Sequence, residues 1–524
     1  MDKLKNPVIY FSILLLLFSC RENIIDFTAP TILEAKLENV SSTTARISGN
    51  ISNLGPNPIL EHGHCWSTLE SPTIMDSLFS IGAKTDLKGY YSELKNLLPN
   101  STYYVRPFAA TAFQVFYGDA LEFDTSPDLT PAKLEKTEIL SVSENNAIIK
   151  TSIKDLGANP IISHGHCWSE NQSPTIDDNS INLGELSSLE DFQSQPTGLS
   201  QATIYFIRPF ITTVYGIIYG EEISFMTPGW KRMDDVPFDA RYGAVGFIKD
   251  NMIFIGTGNS SDNETLNDFW RYDIQNGTWE QVAYSAMGNV TESTGFAIEN
   301  KGFVGTGLVN GNSRRRSLWA FNDEFNFWEW KEPLPSFDRN SAISFSSEKM
   351  GYLGLGERAN NRYLNDFWKY DPGKNSWDRL EDFKGKSRKN AVSFSIGKKG
   401  YVGLGEERNE NFLNDFWEYD IEKDEWNEIN SFPGNRRTSA SAFVIGDKAY
   451  VFTGIDSEGN YHNDFWEFDS KTGNWIQLND IPGDKRQEAV AFGNQNNGFL
   501  ITGKGEKGNT LGDFYMYYPN TFSQ

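Results

Sequence analysis

Five arginines fall in one phase of this chain. Arg241, Arg339, Arg388, Arg437 and Arg486 occupy slots 49 residues apart, with Val290 in the slot after Arg241. A guanidinium fork matches carboxylates and sulfates in two-point geometry. Gathered in a ring, these arginines would make a site for an anionic or polar ligand. The alternative is that each braces its own loop or pairs with an aspartate of a neighbouring repeat. Arg314, Arg315 and Arg316 follow close behind the slot that lacks an arginine and are further ligand candidates. Four of the five histidines sit in two identical "HGHCWS" stretches, as His62, His64, His164 and His166. On a strand, each pair shares one face, which could begin a zinc site, but no third ligand is readable. The sequence offers no Ser-His-Asp set, phosphate loop or metal-spaced acidic cluster. No catalytic residue, metal or cofactor is assigned.

The elements that must carry the arginines repeat with the same period. Tryptophans stand at Trp230, Trp279, Trp328, Trp377, Trp426 and Trp475. Glycines of "GTG" or "GLG" type stand at Gly258, Gly307, Gly356, Gly405, Gly454 and Gly503, and the "NDF" aspartate at Asp268, Asp366, Asp415, Asp464 and Asp513, with Ser317 in the missing slot. Six in-phase repeats of this length are a repeat architecture. In the fifth, 438–446, 448–454, 464–470 and 474–478 read as strands a to d. One small four-stranded sheet cannot bury both faces; a closed ring of them can. The last repeat runs out before its own strand d, and "GWKRM" at 229–233 supplies one. This pattern resembles the kelch β-propeller, with six blades closed by the N-terminal strand d. The resemblance implies that strand a is innermost and that the arginines crown one channel mouth, where kelch propellers bind acidic peptides or small anions. It gives Trp270, Trp368, Trp417 and Trp466 a core role inside strand c. Copper chemistry on this fold would need clustered histidines, and the propeller has only His462.

Ahead of the propeller lie two copies of another fold. Cys65/Cys167, Arg106/Arg208, Tyr117/Tyr219 and Phe123/Phe225 match at an offset of 102. β-rich runs alternate with turn signals, the pattern of a β-sandwich. Tyr103 and Tyr205 each follow a leucine by six residues, which resembles the tyrosine corner of fibronectin type III domains. The matched cysteines predict one buried, unpaired thiol per copy.

The chain opens with Lys3 and Lys5, an apolar run Val8–Phe18, then Ser19 and Cys20. That run is too short to span a bilayer and reads as a secretory leader. "LFSC" resembles a bacterial lipoprotein processing box, which implies acylation of Cys20 and firm anchoring by several chains. The net charge is −23 over 524 residues, which argues against a nucleic-acid partner.

The reading is an all-β chain: leader 1–19, linker 20–29, fibronectin type III-like sandwiches 30–126 and 132–228, and a six-bladed kelch-type propeller 229–520. It is expected to be a lipid-anchored protein of the bacterial outer membrane, on its surface or periplasmic face. The propeller is expected to bind a glycan or protein ligand, with the sandwiches as spacers. Two alternatives stand beside it: a sialic-acid mutarotase-like enzyme, and a fixed scaffold subunit of an outer-membrane assembly.

Overall fold

A computed structural model describes residues 29–521. The expected leader and Cys20 lie outside the described residues. Within them the chain is all strands, with no helix.

Residues 31–124 and 133–226 each form two facing antiparallel sheets, to which the first copy adds a two-stranded pair, Thr31–Ile32 with Ile51–Asn53. In the second copy, Lys133–Val142, Ala147–Asp155 and Phe192–Ser194 make one sheet. Ser163–Ser169, Asn179–Asn182, Ile204–Thr213, Gly216–Tyr219 and Ile223–Met226 make the other. Alternation along Ala147–Asp155 puts Ala147, Ile149 and Ile153 inside, as a half-buried strand requires. The phenol oxygens of Tyr103 and Tyr205 accept bonds from the backbone N–H of Leu98 and Ser200, at 2.9 and 3.0 Å.

The HGH strands are packed in these cores. Each pair of histidines faces one ring, Tyr90 in the first copy and Phe192 in the second. His64 and His166 are fully buried and bond Ser92 and Ser194 through Nδ1 at 2.7 Å. A serine–histidine pair is the set that activates a nucleophile, but both members of each pair here are buried in the core. Burial drives the pKa of His64 down to about 4 and that of His166 to about 3, so both are neutral packing groups. The glycine between the histidines lets the next strand pass. A Cβ on Gly63 would stand 1.9 Å from the Phe79 carbonyl oxygen, and one on Gly165 1.8 Å from that of Ile181.

Cys65 and Cys167 are free and fully buried. Their thiols point at the carbonyls of Pro72 and Pro174 at 3.4 Å. Burial pushes both pKa values up to about 11. The thiolate is the reactive form, so both cysteines should resist a thiol reagent in the native protein and react fully in guanidinium. Rapid native labelling, read by mass, would contradict the packing.

From residue 229 the chain forms six four-stranded antiparallel sheets. Their first strands are Val245–Lys249, Thr294–Ile298, Ile343–Ser347, Val392–Ile396, Ser441–Ile445 and Val490–Gly493. Each touches the next, and the last returns to the first. The sixth sheet has only three strands of its own; Gly229–Arg232 pairs antiparallel with Phe514–Tyr518 and completes it. Between sheets the core is aromatic. Phe269, Phe367, Phe416 and Phe465 from "DFW" are buried, and the strand d tryptophans pack edge-on against the phenylalanine of the preceding sheet. Four of those indoles also donate to a carbonyl 45 residues earlier, as Trp426 does to Glu381 at 3.2 Å. They staple the second to fifth sheets each to the one before it.

Candidate functional site

The five arginines are spokes inside the blades and not a crown open to solvent. Arg241, Arg339, Arg388, Arg437 and Arg486 are fully buried. Each makes a two-pronged ion pair with the "NDF" aspartate of its own blade. The partners are Asp268, Asp366, Asp415, Asp464 and Asp513, at 2.5 to 2.8 Å. Nε donates to the carbonyl two residues earlier, and Nη1 to the carbonyl of the residue before the repeat glycine, the middle of "GTG", "GLG", "FTG" or "ITG". That middle residue is held left-handed, with φ near 60° at Thr257, Leu355, Leu404, Thr453 and Thr502. Thr306 of blade two keeps the same conformation without an arginine, so the bond satisfies the carbonyl and does not set the bend. Phe238, Phe383, Phe432 and Tyr515 stack on four of the guanidinium groups.

The aspartates also accept the indole N–H of Trp270, Trp368, Trp417 and Trp466, at 2.7 to 2.8 Å. Burial raises the pKa of Asp268, Asp366, Asp415 and Asp464. The bonds to arginine outweigh it, and all four end below the usual carboxylate range. With donors and charge both satisfied internally, the spokes do not reach the rim, which corrects the sequence expectation for these five residues. The partner is in the same blade, not the neighbouring one.

Blade two departs as a unit. It has Val290 and Ser317 in place of the pair, and its indole, Trp319, stacks edge-on against Trp330 at 5.0 Å. Its loop forms a hairpin, Leu308–Val309 with Ser313–Arg314, that pairs with Val290–Thr291. The hairpin turns Arg314 toward the rim, where it bonds Asn340 and Glu357. Arg315 and Arg316 are exposed; Arg315 bonds Ser313 and Arg316 stands 3.8 Å from Asp338. Of these three candidates only Arg314 joins the network described next.

Two residues beyond each spoke position, the chain bends over the channel. Gly243, Glu292, Ser341, Asn390, Ser439 and Glu488 all have φ between 51° and 60°. Each N–H donates to the carbonyl of the preceding blade's member, at 2.9 to 3.3 Å, and Gly243 closes the circle onto Glu488. A left-handed backbone in five non-glycine residues is costly, and this circle offsets that cost. Below it runs a channel of about 480 Å³ lined by the six first strands. Small residues such as Gly246, Gly295, Ser344, Ser393, Ala442 and Ala491 face it, because converging strands leave room for little else.

Around the circle stands a polar mouth. Hairpin pairing sets Asn340 beside Glu357, Lys389 beside Glu406, and Gln487 beside Lys504. On the side of blades two to four, Arg314, Lys389, Glu357 and Glu406 pair with one another. Arg314 meets Glu357 at 2.8 Å, and Lys389 meets Glu357 at 3.0 Å and Glu406 at 3.5 Å. Tyr363 donates to Glu406 at 2.8 Å, and Glu292 accepts from Asn340 and Ser341. Burial works against the charge of Lys389, and the two glutamates outweigh it, so its pKa rises.

The side of blades six and one is different. Glu488 is half-buried and, among the described residues, makes no side-chain bond. Burial, then the charge of Glu292, push its pKa up to about 7, while Lys504 and Lys389 act in the other direction. Lys504 sits 4.8 Å from the centre of the Tyr242 ring. Tyr461 is linked to Gln487 at 3.3 Å. The phenol pKa values of Tyr242 and Tyr461 rise through burial and then through the field of Glu488. His462, the propeller's one histidine, is paired with Asp456 at 3.2 Å. The sequence did not single out Glu488, Lys504, Lys389 or Glu357. The only available signal was their place one or two residues beyond the spokes and just after "GTG" or "GLG".

Residues 383–523 match the family model of the KLHDC2/KLHL20/DRC7 Kelch-repeats domain. A solved structure titled "Structure of YjhT" is similar at 14% identity and a TM-score of 0.48, over 54% of this chain and 96% of that one. At that distance the likeness carries nothing about the ligand. No curated protein matches the chain.

Proposed function

We propose that the kelch-repeat propeller at the end of this chain is a ligand-binding domain with its site at the polar mouth of the channel. The ring is read as six blades and the two sandwiches as fibronectin type III-like spacers. Cys20 is read as the acylated anchor of an outer-membrane lipoprotein. The ligand is a glycan or a protein segment, which polar and aromatic rim side chains suit. One observation carries the reading. The fold pairs its arginines internally in blade after blade and completes the charge network on one side of the mouth, yet leaves Glu488 and Lys504 unmatched on the other.

Glycan arrays and pull-downs with the full-length protein test it. Tyr242→Ala and Lys504→Ala should each weaken capture at least tenfold and leave melting within a few degrees of wild type, as rim substitutions do. A ligand indifferent to both would place binding elsewhere. Anchoring is tested separately by Cys20→Ser, which should abolish palmitate incorporation.

A second reading, proton transfer on a sugar acid, is favoured by Glu488. Burial and the charge of Glu292 raise its carboxyl pKa to about 7, toward the range that general acid–base work needs. NMR exchange between sialic-acid anomers should then be accelerated by the wild type and not by Glu488→Gln. The scaffold reading predicts stoichiometric partners after mild-detergent purification.

A further inference from the structure

We propose that the ligand taken at the mouth is a zwitterion, its ammonium held by Glu488 with Glu292 and its carboxylate by Lys504, between the rings of Tyr242 and Tyr461. The inference rests on the mouth being the binding site and names the chemistry of what enters.

The two charges that define the ligand are those the protein does not use. Neither Glu488 nor Lys504 makes an ion pair among the described residues. A carboxylate enclosed by protein without a partner is costly. The fold had the means to pair it, as Arg314, Lys389, Glu357 and Glu406 do a few residues away. Strand pairing fixes the positions of the two groups. Lys504 is locked opposite Gln487, the residue before Glu488, by the hairpin between 486–487 and 504–505. Glu488 is locked by its place in the backbone circle. The backbone positions from which the two charges project are therefore set by the fold, and a ligand must span them.

Gly243 supplies the opening. It lies between Glu488 and Glu292 in the circle, and a Cβ there would stand 3.3 Å from a Glu488 carboxylate oxygen and 2.6 Å from the Thr291 hydroxyl. With hydrogen in its place, the space beside the Glu488 carboxylate stays open to a compact cation. Glu292 is already held by Asn340 and Ser341, so Glu488 is the free acceptor. A plain anion meets repulsion from Glu488 and Glu292, and a plain cation meets it from Lys504 and Lys389. Like-charge repulsion of this kind selects a ligand carrying both signs. The Tyr242 ring beneath Lys504 restricts the ammonium to one side of the pocket.

The test is calorimetry on the detergent-solubilised full-length protein. The probes are glycine, β-alanine, 4-aminobutyrate and 6-aminohexanoate, a ladder of charge separations, with propionate and propylammonium as half-ligands. One rung should bind at least tenfold more tightly than either half-ligand. Glu488→Gln and Lys504→Met should each remove at least tenfold of that affinity without shifting melting by more than a few degrees. Half-ligands as tight as the best amino acid, or no binding by any rung, would overturn the proposal. A ligand from arrays or pull-downs that is lost in Lys504→Met but kept in Glu488→Gln would overturn it too, while leaving the mouth as the site. Capture untouched by either variant would sink the mouth reading, and this one with it.

Discussion

Arg388→Ala is expected to lower the propeller's unfolding free energy by about 3–5 kcal/mol, the cost of breaking a buried ion pair from one side. The guanidinium is fully buried and donates to both Asp415 oxygens, at 2.7 and 2.6 Å, and to the carbonyls of Leu404 and Lys386. Its loss takes the arginine donor from two carbonyls and leaves Asp415 with the Trp417 indole and a backbone N–H but no counter-charge. The aspartate side chain keeps 21% of its surface exposed. Water can therefore relieve part of the penalty, which places the expected value toward the lower end of that range. The double variant Arg388→Ala/Asp415→Ala should be less destabilised than the sum of the single variants, because the orphaned charge is gone. Denaturant unfolding of the four proteins measures this. Any ligand of the mouth should bind the folded Arg388→Ala protein as it binds the wild type. Unchanged stability with lost binding would return the arginines to the rim.

Trp230→Ala should cost about 3–5 kcal/mol as a large-to-small change in a core. Trp230 is 7% exposed and meets Phe443, Phe452, Phe465 and Tyr517 with ring centroids 5.1 to 6.0 Å away. It sits on the strand that closes the ring, so the cost falls on the joint between the fifth and sixth sheets. Its indole N–H has no partner among the described residues, whereas Trp328, Trp377, Trp426 and Trp475 donate to a carbonyl. Trp230→Phe should therefore cost less than the same change at Trp426, since it gives up ring area but no bond. A chain beginning at Asp234 should melt well below one beginning at Pro228, because Phe514–Tyr518 then loses its neighbour. Equal melting temperatures would mean that the sixth sheet is completed by another segment.

Much of this was legible in the residues. A period kept by tryptophan, glycine and aspartate together identifies a repeated sheet, since each blade needs the same rings and turns at the same places. The shortfall at the end of the last repeat pointed to strand d at 229–233. The matched HGHCWS stretches pointed to buried thiols, and the structure buries them.

The arginine series was legible as a series but not in its role. Its period is equally compatible with a ring of ligand contacts and with a brace repeated in every blade. The deciding signal was in the second repeat, where Val290 and Ser317 replace arginine and aspartate together. Two residues 27 apart that are lost in the same repeat are partners, and the buried pair elsewhere shows why: either charge alone would be stranded.

The sequence by itself determined the repeated parts, the kelch-like sheets and the residues each sheet needs, because a period averages over six copies of one environment. Only the tertiary structure decided the parts that do not repeat. Glu488, Lys504, Tyr242 and Gly243 come from two blades, share no motif, and meet because the ring closes between the last blade and the first. The charge left unmatched there depends on which neighbours a circle of backbone bonds brings together. That is a property of the closed ring, which no single repeat contains.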